Sequence, residues 1–235
     1  MNVYSDQEID RVVNLFHSEM TEKHRYASFD FCYSYFQNNK NHLADNIEVG
    51  CMYLWAYLAS WGMLRGSSVL LQENSPASLK GLLSLFANSK DKKVWDLDLQ
   101  DYSTPEAIGE IIGMYYSIES ELKKIMEQPS VTLITKIMLG VFGCIPAYDG
   151  YFTYAMRTEC IGDGCGFRRV NDKSLRLIGE FYRANQNAFD GITIPVIDFN
   201  GQPTKLTYKK AKLIDMFGFT KGLELAKLTK EKGTE

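Results

Sequence analysis

The sequence predicts a mainly α-helical fold, a compact multi-helix domain with at most one small β-hairpin between residues 192 and 208. Apolar residues recur at three- and four-residue spacing along most of the chain, whereas the alternation typical of strands is confined to ITIPVIDF and KLTY. The 235 residues are 45% hydrophobic and include neither an internal repeat nor a flexible linker. We therefore expect one helical domain over residues 1–235, either undivided or built as two helical lobes around a cleft.

Helix-start signals divide the chain into its elements. Ser5 suits an N-cap before an apolar-periodic segment, and Ser75 and Thr104 are each followed by a proline in the first helical turn. Asp149 and Asp172 suit the N-caps of two later helices. The predicted helices cover, in chain order, residues 5–22, 26–38, 46–64, 75–86, 104–127, 131–142, 149–158, 172–188 and 209–230.

The predicted hairpin lies before the last of these helices. Asn200 and Gly201 form a turn signal between two short segments of strand-forming residues. Pro195 cannot donate a hydrogen bond to a sheet, which limits the first strand to an edge position.

Charge and cysteine content exclude several function classes. With 26 basic and 29 acidic residues, the chain has a net charge of -3, which excludes a strongly basic nucleic-acid coat but not a local basic face. The five cysteines include no CxxC pair and have no histidine beside them in the sequence, so we expect no metal site. Free thiols and a start without an export signal indicate a cytoplasmic protein. The apolar stretch 51–64 carries no charge but is shorter than the roughly 20 residues of a membrane span.

Lys136 is the residue with the clearest potential for chemistry. It is the one cation on the predicted helix 131–142, whose other face is apolar, and Gly140 follows it one turn later. A glycine inside a helix indicates close approach of a partner or ligand to the backbone. Asp149 follows thirteen residues later, after a turn at Pro146. A desolvated lysine amine can attack an electrophilic carbon to give a Schiff base, and a nearby aspartate can stabilise the positive charge that develops there.

The segments Thr135-Lys136 and Pro146-Ala147-Tyr148-Asp149 resemble the helix-hairpin-helix DNA glycosylases, in particular the 8-oxoguanine DNA glycosylase-like bacterial branch. The resemblance implies an all-helical fold in which Lys136 is the nucleophile and Asp149 the assisting residue. It also implies double-stranded DNA as the partner, excision of a damaged or modified base without a cofactor, and strand nicking at the emptied site. The hairpin of this family usually carries glycines whose amides bind a DNA phosphate, and residues 129–134 contain none.

Six further residues are candidates for DNA contact. Arg65, Ser67 and Ser68 combine a cation with two hydroxyls on a flexible backbone, which suits a phosphate or a buried carboxylate. Thr132 shares the helix face of Lys136. Lys209 and Lys210 belong to a C-terminal stretch, residues 201–235, with eight lysines and four acidic residues, which is typical of either a solvated helix face or a contact with the DNA backbone.

Each of these candidates also has a purely structural interpretation. Lys136 suits a partly solvated helix face, Asp149 an ordinary N-cap, and Arg65 a structural ion pair. Trp61 and the aromatic residues of segment 26–36 are expected in the core, although one of them could line a base pocket. The alternative function is therefore a non-enzymatic helical protein that binds DNA or a protein, and a third is an enzyme acting on a small nucleoside.

Overall fold

A computed structural model describes residues 2–18, 20–160 and 162–232, and it confirms a mainly α-helical fold with one small hairpin. The helices of the described residues are α1 Asp6–His17, α2 Ser28–Asn39, α3 Ile47–Ser60, α4 Val69–Glu73, α5 Lys80–Ala87, α6 Pro105–Leu122, α7 Val131–Phe142, α8 Gly150–Glu159, α9 Asp172–Ala184, α10 Gln186–Gly191 and α11 Lys210–Lys232. The strands β1 Pro195–Ile197 and β2 Pro203–Thr207 pair antiparallel, with Pro195 opposite Thr207.

Capping side chains set several helix starts where the sequence predicts them. Ser5, Thr104 and Asp149 each accept a hydrogen bond from a backbone N–H in the first turn of the following helix. Asp172 was predicted as a cap, but the cap is Asn171, which accepts from the Ser174 N–H at 2.9 Å. The Ser174 hydroxyl accepts in turn from the Asn171 N–H, so the two residues form a capping box.

Several predicted helices end earlier than their apolar patterns indicate. α1 ends at His17 rather than at residue 22, and α6 ends at Leu122 rather than at residue 127. α3 ends at Ser60 rather than at residue 64, because Trp61 has already left the helical conformation. The predicted helix 172–188 divides at Asn185 into α9 and α10. The side chain of Asn185 donates to the backbone oxygens of Asn2 and Phe181 and accepts from the Tyr4 N–H, so it ties the N-terminal segment to this break.

α7 is the central helix of the core. It contacts α2, α3 and α6, and its residues from Leu133 to Phe142 are all buried. A Cβ atom on Gly140 would lie 2.5 Å from the ring of Tyr57, whose hydroxyl donates to the Lys136 carbonyl at 3.1 Å. The close approach that this glycine permits is therefore made by the protein's own α3 rather than by a ligand.

α11 closes the other side of the molecule. It packs along α8 and α1 and also contacts α10. Buried apolar residues from Ile9 on α1 to Phe217 on α11 belong to one hydrophobic cluster, which joins the two ends of the chain. No helix among the described residues combines the length and the apolar character that crossing a membrane requires.

Candidate functional site

A cavity of about 710 Å³ lies where the end of α3, the middle of α7, the first turns of α8 and the middle of α11 meet. Four residues singled out from the sequence line it: Arg65, Thr132, Lys136 and Asp149. The other lining residues include Arg25, Tyr26, Trp61, Tyr151, Tyr154 and Phe219. Of these, the sequence analysis considered only Trp61 and the aromatic segment that begins at Tyr26 as possible walls of a base pocket. The cavity is therefore lined by aromatic rings, two arginines, one lysine and one carboxylate.

Lys136 reaches this cavity from α7 as a buried cation. Its side chain is 5% exposed, which contradicts the interpretation as a lysine on a solvated face. Its Nζ donates to the Trp61 carbonyl oxygen at 2.8 Å and lies 5.4 Å from the centroid of the Trp61 ring. Burial lowers the pKa of the Lys136 amine, with Asp149 and Asp215 opposing this effect and Lys212 adding to it. The amine is thus held at the carboxyl end of α3 and is more easily deprotonated than a surface lysine.

Lys209 provides a comparison, because it too is a largely buried lysine whose amine binds a carbonyl at the end of a helix. Its Nζ donates to three carbonyl oxygens, those of Trp95, Leu97 and Phe142, at 2.7 to 3.1 Å. All three N–H donors of that ammonium are therefore used by the fold. Lys136 makes only the hydrogen bond to Trp61 among the described residues, which leaves donor capacity on an amine that lines a cavity.

Asp149 caps α8 from the opposite wall. Its Oδ1 accepts from the Phe152 N–H at 2.9 Å. Burial raises the pKa of the Asp149 carboxyl, and nearby Asp215 raises it further, whereas the hydrogen bond to Phe152 and the charge of Lys136 act in the opposite direction. The ion pairs among the described residues do not include one between Lys136 and Asp149, so the two groups face one cavity without neutralising each other directly.

Two hydroxyls on α7 fix the position of Asp149 relative to Lys136. The Thr132 Oγ1 donates to the Tyr148 carbonyl at 2.8 Å, and the Thr135 Oγ1 accepts from the Tyr148 N–H at 2.9 Å. Both the backbone N–H and the backbone C=O of Tyr148, the residue before Asp149, are therefore held by the helix that carries Lys136. Thr132 lines the cavity as the sequence analysis anticipated, and its hydroxyl proton is engaged in this contact.

Aromatic rings form the apolar walls of the cavity. Tyr26 lies against Trp61 with ring centroids 4.6 Å apart, and Tyr151 meets Phe219 edge to face at 5.2 Å. Tyr151 and Tyr154 remain 39% and 37% exposed, so part of their ring surface is open to a ligand. The sequence signal for this wall is the i, i+3 spacing of the two tyrosines directly after Asp149.

The other predicted DNA contacts lie apart from this cavity. Ser67 is exposed, and Ser68 caps α4, where its Oγ accepts from the Leu71 N–H at 3.3 Å. Lys210 donates to the Phe189 carbonyl at 2.7 Å and lines, with Lys209, a second cavity of about 430 Å³. Of the six candidates, the structure brings only Arg65 and Thr132 to the cavity of Lys136.

The described residues contain no group of three or more histidine, cysteine or acidic side chains placed to hold a metal ion. The groups that line the cavity and can take part in chemistry include a lysine, a carboxylate and two arginines, set among aromatic walls. Compared with protein-family models, with curated proteins and with solved structures, the chain gives no match.

Proposed function

We propose that the chain is a DNA glycosylase-like enzyme of helix-hairpin-helix type that removes a damaged or modified base, with Lys136 as nucleophile and Asp149 as assisting residue. The observation that carries the proposal is the buried amine of Lys136, which lines an aromatic cavity and makes a single hydrogen bond to the described residues. Two other largely buried lysines are engaged more fully, because Lys209 donates to three carbonyl oxygens and Lys212 forms an ion pair with Asp215.

The aromatic walls suit a base rotated out of duplex DNA. A flipped base is held by stacking between aromatic or apolar side chains, and the cavity offers the Tyr26–Trp61 pair and the rings of Tyr151 and Phe219 for this contact. Arg25 and Arg65 line the same cavity and are exposed, so they can pair with the phosphates on either side of the flipped nucleotide.

The chemical step uses Lys136 and Asp149, which line the same cavity. The neutral amine of Lys136 attacks C1′ of the sugar as the C1′–N bond to the base breaks, and the base leaves with the proton that the new ammonium releases. The Asp149 carboxylate stabilises the positive charge that develops on the sugar. Opening of the sugar ring then gives a Schiff base between C1′ and Nζ, from which the strand can be nicked.

A reducing cytoplasm is the setting that we propose, because the chain keeps free thiols. Cys32, Cys51, Cys144 and Cys160 are buried and unpaired.

Borohydride trapping tests the proposal directly. Wild-type protein, Lys136→Gln and the control Lys205→Gln are mixed with duplexes that carry 8-oxoguanine, other modified bases or abasic sites, and the imine is reduced to a stable amine. Lys205 lies exposed on β2 and does not line the cavity, so its variant makes the same chemical change elsewhere. We expect a covalent adduct with wild type and Lys205→Gln and none with Lys136→Gln.

The alternative, a non-enzymatic protein that binds DNA or a protein partner, gives a different result. In that case no duplex yields an adduct with wild type. An adduct that persists in Lys136→Gln would show that another amine reacts, and it would overturn the assignment of Lys136.

A further inference from the structure

We infer that the buried Lys212–Asp215 ion pair of α11 is a positioning device that holds both Lys136 and Asp149 in their reactive arrangement. This inference rests on the proposed function and adds two residues to its site. The Lys212 Nζ lies 2.9 Å from the Asp215 Oδ2, and the two side chains are only 1% and 4% exposed. Burial of two ions carries a desolvation cost, and apolar residues of similar volume often replace such pairs without loss of stability. A contribution beyond stability is therefore the natural explanation for its presence.

Asp215 holds the segment that carries Asp149. While its Oδ2 pairs with Lys212, its Oδ1 accepts from the Ala147 N–H at 2.9 Å. Ala147 precedes Asp149 by two residues, and the next residue, Tyr148, is held by the two α7 hydroxyls. The segment before Asp149 is thus fixed by α11 on one side and by α7 on the other.

Lys212 holds the residue that anchors Lys136. Its Nζ lies 4.5 Å from the centroid of the Trp61 ring and 4.6 Å from that of Phe29. The carbonyl of the same Trp61 accepts the hydrogen bond from the Lys136 Nζ. A cation is attracted to a desolvated aromatic face, so Lys212 restrains the Trp61 residue on which Lys136 depends.

The two charges of the pair also act on the reactive groups in opposite ways. Asp215 raises the pKa of Lys136, whereas Lys212 lowers it. The other charged groups that act on Lys136 are Asp149 and Arg65, and neither belongs to α11. Removing one member of the pair should therefore change the pH at which the Lys136 amine becomes reactive. The direction of the change depends on which charge is lost.

The test measures the reactivity of Lys136 in Lys212→Met and Asp215→Asn, with Asn chosen because it keeps an acceptor for Ala147. Reductive methylation with formaldehyde and cyanoborohydride, followed by peptide mass spectrometry, gives the pH profile of Lys136, with exposed Lys205 as an internal reference. We expect the profile to move to higher pH in Lys212→Met and to lower pH in Asp215→Asn. Profiles that stay at the wild-type pH in both variants would show that the pair does not act on the Lys136 amine, and that result would overturn the inference.

The double variant Lys212→Met/Asp215→Asn keeps the test valid if a single variant does not fold, because it leaves no unpaired buried charge. We expect its borohydride-trapping rate on an abasic duplex to fall about 10- to 100-fold, as displaced reactive groups do, while its thermal midpoint stays close to that of wild type. The control Asp172→Asn/Arg176→Met removes an ion pair of 2.8 Å on the surface of α9 and should leave the rate unchanged. A double variant that traps at the wild-type rate would contradict the inference.

The two hypotheses fail in different ways. If wild type traps no duplex, the glycosylase proposal fails, whereas the methylation profiles still decide whether the ion pair controls the Lys136 amine. If wild type traps DNA but the variants match it in rate and in profile, the proposed function stands and the positioning role falls.

Discussion

At the scale of single residues, the hydrogen-bond partners of two buried lysines differ. Lys136 and Lys209 are both largely buried, and each donates to a carbonyl at the end of a helix. Among the described residues, Lys209 has three carbonyl partners and Lys136 has one. The partners of Lys209 come from distant parts of the chain, so the sequence contains no local signal for this difference. The sequence analysis therefore took Lys136 as a nucleophile and Lys209 as a candidate DNA contact, and only the fold shows that the amine of Lys209 is engaged with carbonyls.

Asp30 is expected to make stability depend on pH. This fully buried carboxyl on α2 accepts hydrogen bonds from the Tyr208 hydroxyl and the Ile197 N–H, and Lys212 also acts on it. Burial raises its pKa from 3.8 to about 6. Because the folded protein holds this proton more tightly than the unfolded chain, the stabilisation is complete below about pH 4 and is lost as the pH rises to about 6.

Urea unfolding of wild type and Asp30→Asn between pH 4 and pH 7 measures this effect. Relative to Asp30→Asn, wild type should lose about 2 kcal/mol of unfolding free energy as the pH rises from 4 to 6, and the difference should level off near pH 7. Other carboxyls titrate in both proteins and cancel in the difference. A difference that stays constant over this range would show that the pKa of Asp30 is not raised.

At the scale of elements, the helical periodicity predicted most of the fold, and side chains distant in sequence set the exceptions. The bounds 131–142 of α7 match the prediction, because its apolar pattern and its cap, Ser130, are both local. The division at Asn185 arises from a hydrogen bond to the Tyr4 N–H, 181 residues away. The glycine on α7 was interpreted as a ligand contact because nothing in the sequence places Tyr57 beside it.

Contact between α11 and α8 shapes one wall of the cavity and is open to a direct test. A Cβ atom on Gly222 of α11 would lie 2.0 Å from the backbone oxygen of Tyr151, so Gly222→Ala must push the two helices apart. Overpacking of this kind costs about 1–3 kcal/mol of stability. Because Tyr151 lines the cavity, we also expect a lower borohydride-trapping rate in the folded fraction.

Gly113→Ala is the matched control for this prediction. Gly113 lies in the interior of α6, and a Cβ atom there would have no atom within 4 Å. Alanine should therefore stabilise the protein by up to about 1 kcal/mol through helix propensity alone. Thermal unfolding of both variants checks this: the midpoint should fall in Gly222→Ala and rise in Gly113→Ala. Equal effects of the two substitutions would contradict the close packing of α11 on α8.

At the scale of the whole molecule, the distribution of charge matters more than its sum. The net charge of -3 already excluded a strongly basic protein that coats nucleic acid. The lysine-rich C-terminal stretch was then the part of the sequence where DNA contacts were most expected. In the fold, Lys209, Lys210 and Lys212 of that stretch are engaged with carbonyls or with an aspartate. The exposed cations that line the cavity are instead Arg25 and Arg65, which are 40 residues apart in the sequence and come together only through the packing of the helices. Arg65 was already a candidate from the sequence, but Arg25 and its closeness to Arg65 were beyond sequence analysis, whereas Lys136 and Asp149 lie within one local segment.

The salt dependence of DNA affinity tests this distribution. If Arg25 and Arg65 each contact one phosphate, then Arg25→Gln and Arg65→Gln should each weaken binding of a duplex and lower the slope of log K against log salt concentration by about 0.9. The control Arg176→Gln removes an exposed cation on α9 that pairs with Asp172 and lies outside the cavity, and its slope should equal that of wild type. Fluorescence anisotropy of a labelled duplex between about 50 and 200 mM salt gives all four slopes, a range over which several phosphate contacts change the affinity strongly. If Arg176→Gln lowers the slope as much as the other two variants do, DNA binds through diffuse charge, and the cavity mouth is not the place where the backbone lies.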